Sequence, residues 1–165
     1  MSRTQSVSYA GRSFWAYDVA LGVLLKHMID AANQSDVPKS STWLSEQVAW
    51  WRQVAAIGAT CGMDIKEQWS SDQVSCFASV VLSACRMLSE RQSIPDAEIV
   101  AWPIWKDCHL HTRGAKEVST APVVELGEAI VALVNDILPP APNGTWWYFG
   151  LPSGRDTIEM GVSER

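Results

Sequence analysis

A chain of 165 residues that is 47% apolar and 19% charged can bury a core of its own, which excludes intrinsic disorder over most of its length and points to a single domain across 1–165. Its 13 Lys and Arg against 18 Asp and Glu leave a net charge of −5. That excludes general binding to nucleic acid or anionic membranes, where cations must displace counterions, and favours a basic protein as partner.

Residues 1–12 carry no period and are expected to form a loosely ordered N-terminal arm. Ser13 can cap a helix from Phe14 to about Asn33, in which Phe14, Tyr17, Leu21, Leu24, Leu25, Met28 and Ala32 make one face. Trp15, Val19 and Val23 fall opposite, so the first half is apolar nearly all round and predicts the central helix; Lys26, His27, Asp30 and Asn33 give the second half a wet stripe. After a loop containing Pro38, Thr42 caps a helix from Trp43 to about Ala59. Leu44, Val48, Trp51, Ala55 and Gly58 form its stripe, widened by Trp43, Trp50, Val54 and Ile57, with Ser45, Glu46, Ala49, Arg52 and Gln53 outward and Gly62 as a stop.

Asp64 to Trp69 reads as a short helical turn. Ser70 and Gln73 spell a capping box ahead of a third helix, Asp72 to Arg91, with Val74, Phe77, Val81, Cys85 and Leu88 facing in. Ile94-Pro95 opens a brief helical turn through Val100, and no period stands out from Ala101 to Ser119. Thr120-Ala121-Pro122 starts a fourth helix to about Leu138, with Val123, Leu126, Ile130, Val134 and Ile137 inside, and the prolines at 139, 140 and 142 end it. Asn143-Gly144, the β-formers of 145–149 and the alternation of 157–160 predict a hairpin whose aromatic face needs helices or another strand against it. The expected fold class is therefore α+β, mainly α, with a four-helix core and a C-terminal β-hairpin.

Nine tryptophans outnumber three Phe and three Tyr combined. Most of Trp15, Trp50, Trp51 and Trp69 are expected in the core, and Trp43, Trp105 and Trp146 partly exposed. The four cysteines, Cys61, Cys76, Cys85 and Cys108, have neither C-x-x-C nor zinc-finger spacing, and three of them, in or beside predicted helices, read as small core residues. The N-terminus lacks the basic-then-apolar layout of a secretory signal, and the run from Trp15 to Leu25, broken by Asp18, is too short to span a bilayer, so the expected compartment is the cytoplasm, with no membrane contact.

Three features could carry function. Asp107, His109 and His111 would point to one side of an extended segment, beside Lys106 and Arg113, and could hold a divalent metal or act as acid, base and orienter; a plain polar loop is the simpler reading. Asp18, on the expected central helix, reads either as a tuned base or as a structural acceptor for an indole, a tyrosine hydroxyl or an arginine. Between Lys116 and Arg155 there is no cation, and Glu125, Glu128 and Asp136 share one side of the fourth helix. That strip is either a solvated face or an electrostatic match for a basic partner.

Phosphate-loop, dinucleotide, nucleophile-elbow and H-E-x-x-H motifs are missing, and no cofactor is expected. These readings favour a non-enzymatic bacterial protein-binding protein, such as an immunity protein neutralising a basic, nuclease-type toxin, with Glu125, Glu128, Asp136, Trp43 and Trp105 at the interface. The alternatives are a small metal-dependent hydrolase or phosphoryl-handling enzyme built on Asp107, His109 and His111, and a self-associating structural protein that buries its indoles in a homodimer.

Overall fold

The computed structural model describes residues 4–34, 42–57 and 62–159. Pro38, Gly58, Ala59, Cys61 and Met160, placed above from the sequence, lie outside the described residues. Among the described residues the architecture is α+β: five helices, one of them a single turn, a five-stranded mixed sheet and a separate two-stranded ribbon.

The N-terminus corrects the expectation of a loose arm. Thr4–Tyr9 (β1) and Arg12–Tyr17 (β2) form an antiparallel hairpin in register Tyr9↔Arg12 through Thr4↔Tyr17. Ala10 and Gly11 turn it, both at positive φ (50° and 73°), as a two-residue hairpin turn with the right twist requires. Along β1, Gln5 and Val7 are buried while Thr4, Ser6 and Ser8 are partly open, so the period of two is present but carried by a single strongly apolar residue. The first helix accordingly starts at Asp18, not after Ser13: α1 is Asp18–Gln34, and the Asp18 carboxylate accepts from the Val19 amide at 2.8 Å.

As expected, α1 is central, with Val19 through Leu25 all buried. Thr42–Ile57 (α2) buries Leu44, Trp51, Val54 and Ala55, but Trp50 is exposed, so the apolar stripe is narrower than the sequence reading made it. In place of the short helical turn expected from Asp64 to Trp69, the chain makes a strand and then a single hydrogen-bonded turn, Trp69 N to Lys66 O at 3.4 Å. Met63–Asp64 (β3) adds to the hairpin in parallel with β1, and Ile65 is buried with its amide bonded to Ser8 O at 2.9 Å. Ser71–Ser89 (α3) begins at the expected capping box, Gln73 N to Ser70 Oγ at 3.2 Å and Ser70 N to Gln73 Oε1 at 2.9 Å. It buries Phe77, Val81, Cys85 and Leu88.

Ser93–Pro95 (β4) pairs with Glu117–Ser119 (β5), so the helical turn expected from Ile94 is displaced to Asp96–Ile99 (α4). This ribbon closes the base of the loop between residues 100 and 116. Thr120–Val134 (α5) stops four residues early: Asn135 caps it, Asp136 turns left-handed (φ 58°), and Ile137 points outward at 71% exposure instead of joining the core.

Thr145–Phe149 (β6) and Asp156–Glu159 (β7) form the expected C-terminal hairpin. It joins the N-terminal one, with β6 parallel to β2, giving strand order β3-β1-β2-β6-β7. One side of the sheet (Val7, Phe14, Ala16, Phe149) enters the core shared with α1 and α5, where Phe14 and Phe149 meet edge-on at 5.0 Å.

Candidate functional site

His109 and His111 share one side of their segment, because Leu110 and Thr112 turn inward and are buried, whereas Asp107 is exposed in a tight turn with Lys106 (φ 51°) between the bridged Trp105 and Cys108. The shared side faces solvent, however. Among the described residues no group of three or more His, Cys, Asp and Glu side chains is placed to hold a metal ion. Trp105 is half-buried against the core, and the Lys106 ammonium sits 4.5 Å from its ring centre. Trp43 is also half-buried, edge-on to Trp69 at 5.2 Å, with an indole N–H that finds no protein acceptor.

The acidic strip is not intact in three dimensions. Arg155 comes back from the β6–β7 turn to within 3.7 Å of Glu125, and Arg12 from the start of β2 pairs with Asp136 and donates to Leu138 O. Asp136 lies beyond the end of α5, so only Glu125 and Glu128 are on the helix, and Glu128 alone keeps no ion pair. The missing signal is spatial: a cation-free stretch of sequence can be met by cations from distant segments. After the ion pairs Arg12–Asp136, Lys26–Asp30, Arg91–Glu98, Arg113–Asp18 and Arg155–Glu125 are formed, the carboxylates without an ion pair to a described residue include Glu46, Asp64, Glu67 and Asp72, in or after β3 and in the first turns of α2 and α3.

Asp18 takes the structural role. Arg113, left-handed at φ 55°, reaches from the 100–116 loop and donates Nε–H to both Asp18 oxygens, at 3.1 and 2.9 Å, and Nη2–H to one of them. This bidentate pair ties the loop to the junction of β2 and α1, within electrostatic reach of Tyr17 and Tyr148.

Tyr148 belongs to a feature that sequence reasoning assembled only in part. On the side of the sheet away from the core, Trp15 stands opposite Tyr148 and Trp146 opposite Ile158. All four are half-buried and none packs on the hydrophobic core. Together they make an aromatic ladder across β2, β6 and β7, with Ser6 and Ser8 of β1 beyond it. The partial exposure expected for Trp146 is present; Trp15, expected inside, lies on this outer face because strand parity rather than helical phase places it.

His27, read as part of a wet stripe, is instead buried, its Nδ1 2.8 Å from Val23 O and its ring edge-on to Trp102 at 5.5 Å. Burial pushes its pKa below the ordinary 6.5; the nearby Lys26 and Arg91 add to this, and the Val23 hydrogen bond and Asp30 oppose it. The unfolded chain therefore takes up this proton more readily than the folded one, so stability falls as pH drops below 6.5 toward the folded-state value. In urea titrations between about pH 7.5 and about pH 5, His27→Gln should lose part of that pH slope, whereas an unchanged slope contradicts the assignment.

Among the described residues no helix is long and apolar enough to cross a membrane. No protein-family model, no curated protein and no solved structure matches this chain.

Proposed function

We propose that this chain is a non-enzymatic protein-binding protein of the bacterial cytoplasm, acting as an immunity protein that neutralises a basic, nuclease-type toxin. The observation that carries the reading is the aromatic ladder Trp15, Tyr148, Trp146 and Ile158 on a sheet face with no packing of its own on the core. Trp and Tyr are the residue types that dominate interface energetics. A basic partner is supported by the carboxylates left unpaired once the local ion pairs are made, and by the net charge of −5.

Self-association is the weaker reading. Two copies of β7 paired antiparallel in full overlap would set Asp156 of each against Glu159 of the other, a like-charge arrangement that blunts this sheet edge.

The test is affinity capture from the native cell, comparing the wild-type chain with the Trp15→Ser/Trp146→Ser double variant. A basic protein held by the wild type should be bound at least about thirtyfold more weakly by the variant, corresponding to about 2 kcal/mol for a hot-spot loss. Its nuclease activity should be blocked by the wild type and not by the variant. Equal retention by both chains, or light scattering that finds only a homodimer, overturns the reading.

A further inference from the structure

A cleft of about 520 Å³ opens between α2 and β3, lined by Glu46, Gln47, Trp50, Gly62, Asp64 and Lys66. Glu46, Gln47 and Trp50 project from one side of α2, spaced as helical neighbours are. Gln47 is only 8% exposed, and its amide makes no hydrogen bond with any described group. Its polar atoms are nonetheless not among those sealed from solvent, so the cleft is where the amide opens. The amide keeps unused N–H donors and a carbonyl acceptor for a group that enters the cleft.

The walls indicate what that partner is. Trp50 is 37% exposed, whereas its neighbour Trp51 is 1% exposed, so the Trp50 indole presents open surface at the cleft. Glu46 and Asp64 make no ion pair with a described residue, and one Asp64 oxygen accepts from the Ser8 hydroxyl at 2.8 Å while the other has no described donor. Among the described lining residues two carboxylates face one cation, Lys66, a net negative charge.

We propose that this cleft binds an alkylguanidinium group. A guanidinium is planar and can lie on the Trp50 ring while its fork of N–H donors serves Glu46, Asp64 and the Gln47 carbonyl. A compact ammonium satisfies the charge but not the ring face or the fork. The group comes either from a free small molecule or from an arginine side chain of a partner protein. The second source rests on the protein-binding reading above; the cleft itself does not.

The experiment titrates ethylguanidinium into the full chain and follows the Trp50 indole N–H by NMR, assigned with Trp50→Phe. The expected result is a saturable shift with a dissociation constant near 1 mM, of order 4 kcal/mol, and ethylammonium binding several-fold more weakly. Glu46→Gln and Asp64→Asn should each weaken binding about tenfold, as loss of one charge contact implies. Lys66→Ala should tighten it, a gain that neither misfolding nor a purely structural role produces. Tighter binding of N-acetyl-arginine amide than of free arginine assigns the ligand to a protein side chain, and the reverse order assigns it to a small molecule. Absence of a saturable shift, equal binding of ethylammonium, or indifference to the charge variants overturns the proposal. Because the probe reports on the cleft and capture reports on the aromatic ladder, either inference can fail without the other.

Discussion

Replacing Trp51 with alanine is expected to remove about 3–5 kcal/mol of stability, whereas the same change at Trp50 should cost under about 1 kcal/mol. The two indoles are adjacent in sequence but point about 100° apart around the helix. Trp51 is 1% exposed and stacks at a tilt on Phe77 at 6.1 Å; Phe77 in turn meets Trp69 at 5.3 Å, and Trp69 meets Trp43. This aromatic chain fastens α2 to α3, so truncating Trp51 leaves a cavity bounded by rings whose own positions are fixed. Since domains of this size are stable by only about 5–15 kcal/mol, Trp51→Ala should be partly unfolded at modest urea concentrations. Urea unfolding followed by far-ultraviolet circular dichroism, which does not depend on the indole removed, measures both variants. Similar losses at the two positions would contradict the packing described.

The same pair illustrates how far the fold is legible in sequence. The third helix was legible because two independent signals agreed: a capping box at Ser70 and Gln73, and an apolar stripe at helical spacing from Phe77 to Leu88. The C-terminal hairpin was legible from a turn signal next to five β-formers. The N-terminal hairpin was not. Gln5 occupies a buried position that a polar residue does not advertise, and Ala10-Gly11 is a less emphatic turn pair than Asn-Gly.

In β2, Phe14 and Tyr17 continue the helical phase of Leu21 as convincingly as Phe14 and Ala16 follow strand parity, so periodicity could not arbitrate. What decides is a pairing outside any local window, Trp15 beside Tyr148. The functional surface suffers most from this. The aromatic ladder draws on both ends of the chain, and the acidic strip of α5 fails because Arg12 and Arg155, far away in sequence, fold onto it. The outward positions of His109 and His111 could be read locally, since alternation with buried Leu110 and Thr112 is a nearest-neighbour property, whereas the turn that carries Asp107 was not.

Gly127→Ala should destabilise the chain by about 1–3 kcal/mol, although glycine in a helix interior normally costs up to about 1 kcal/mol relative to alanine. The reason is the approach of α5 to α3. A β-carbon at position 127 would stand 2.4 Å from Cys85 Sγ, with Leu24 Cδ1 at 3.3 Å and Val81 Cγ1 at 3.5 Å. Cys85 and Val81 are both buried and cannot swing into solvent.

Truncating the offending atom tests that cause. Cys85→Ala alone gives up a small apolar volume and a long contact from Sγ to Val124 O at 3.7 Å, so its cost should be about 1 kcal/mol. The double variant Gly127→Ala/Cys85→Ala should be more stable than Gly127→Ala, with a coupling of about 1–3 kcal/mol in a four-way urea cycle. A second readout is chemical. Burial, reinforced by Glu128, pushes the Cys85 thiol up to about 11, so in the native chain it should react with a thiol reagent more slowly than half-buried Cys76 or Cys108. If Gly127→Ala forces the two helices apart, Cys85 labelling should accelerate while Cys76 and Cys108 keep their rates. Additive free energies with unchanged labelling would mean that the crowding at Gly127 is relieved by small shifts and does not set the spacing of α3 and α5.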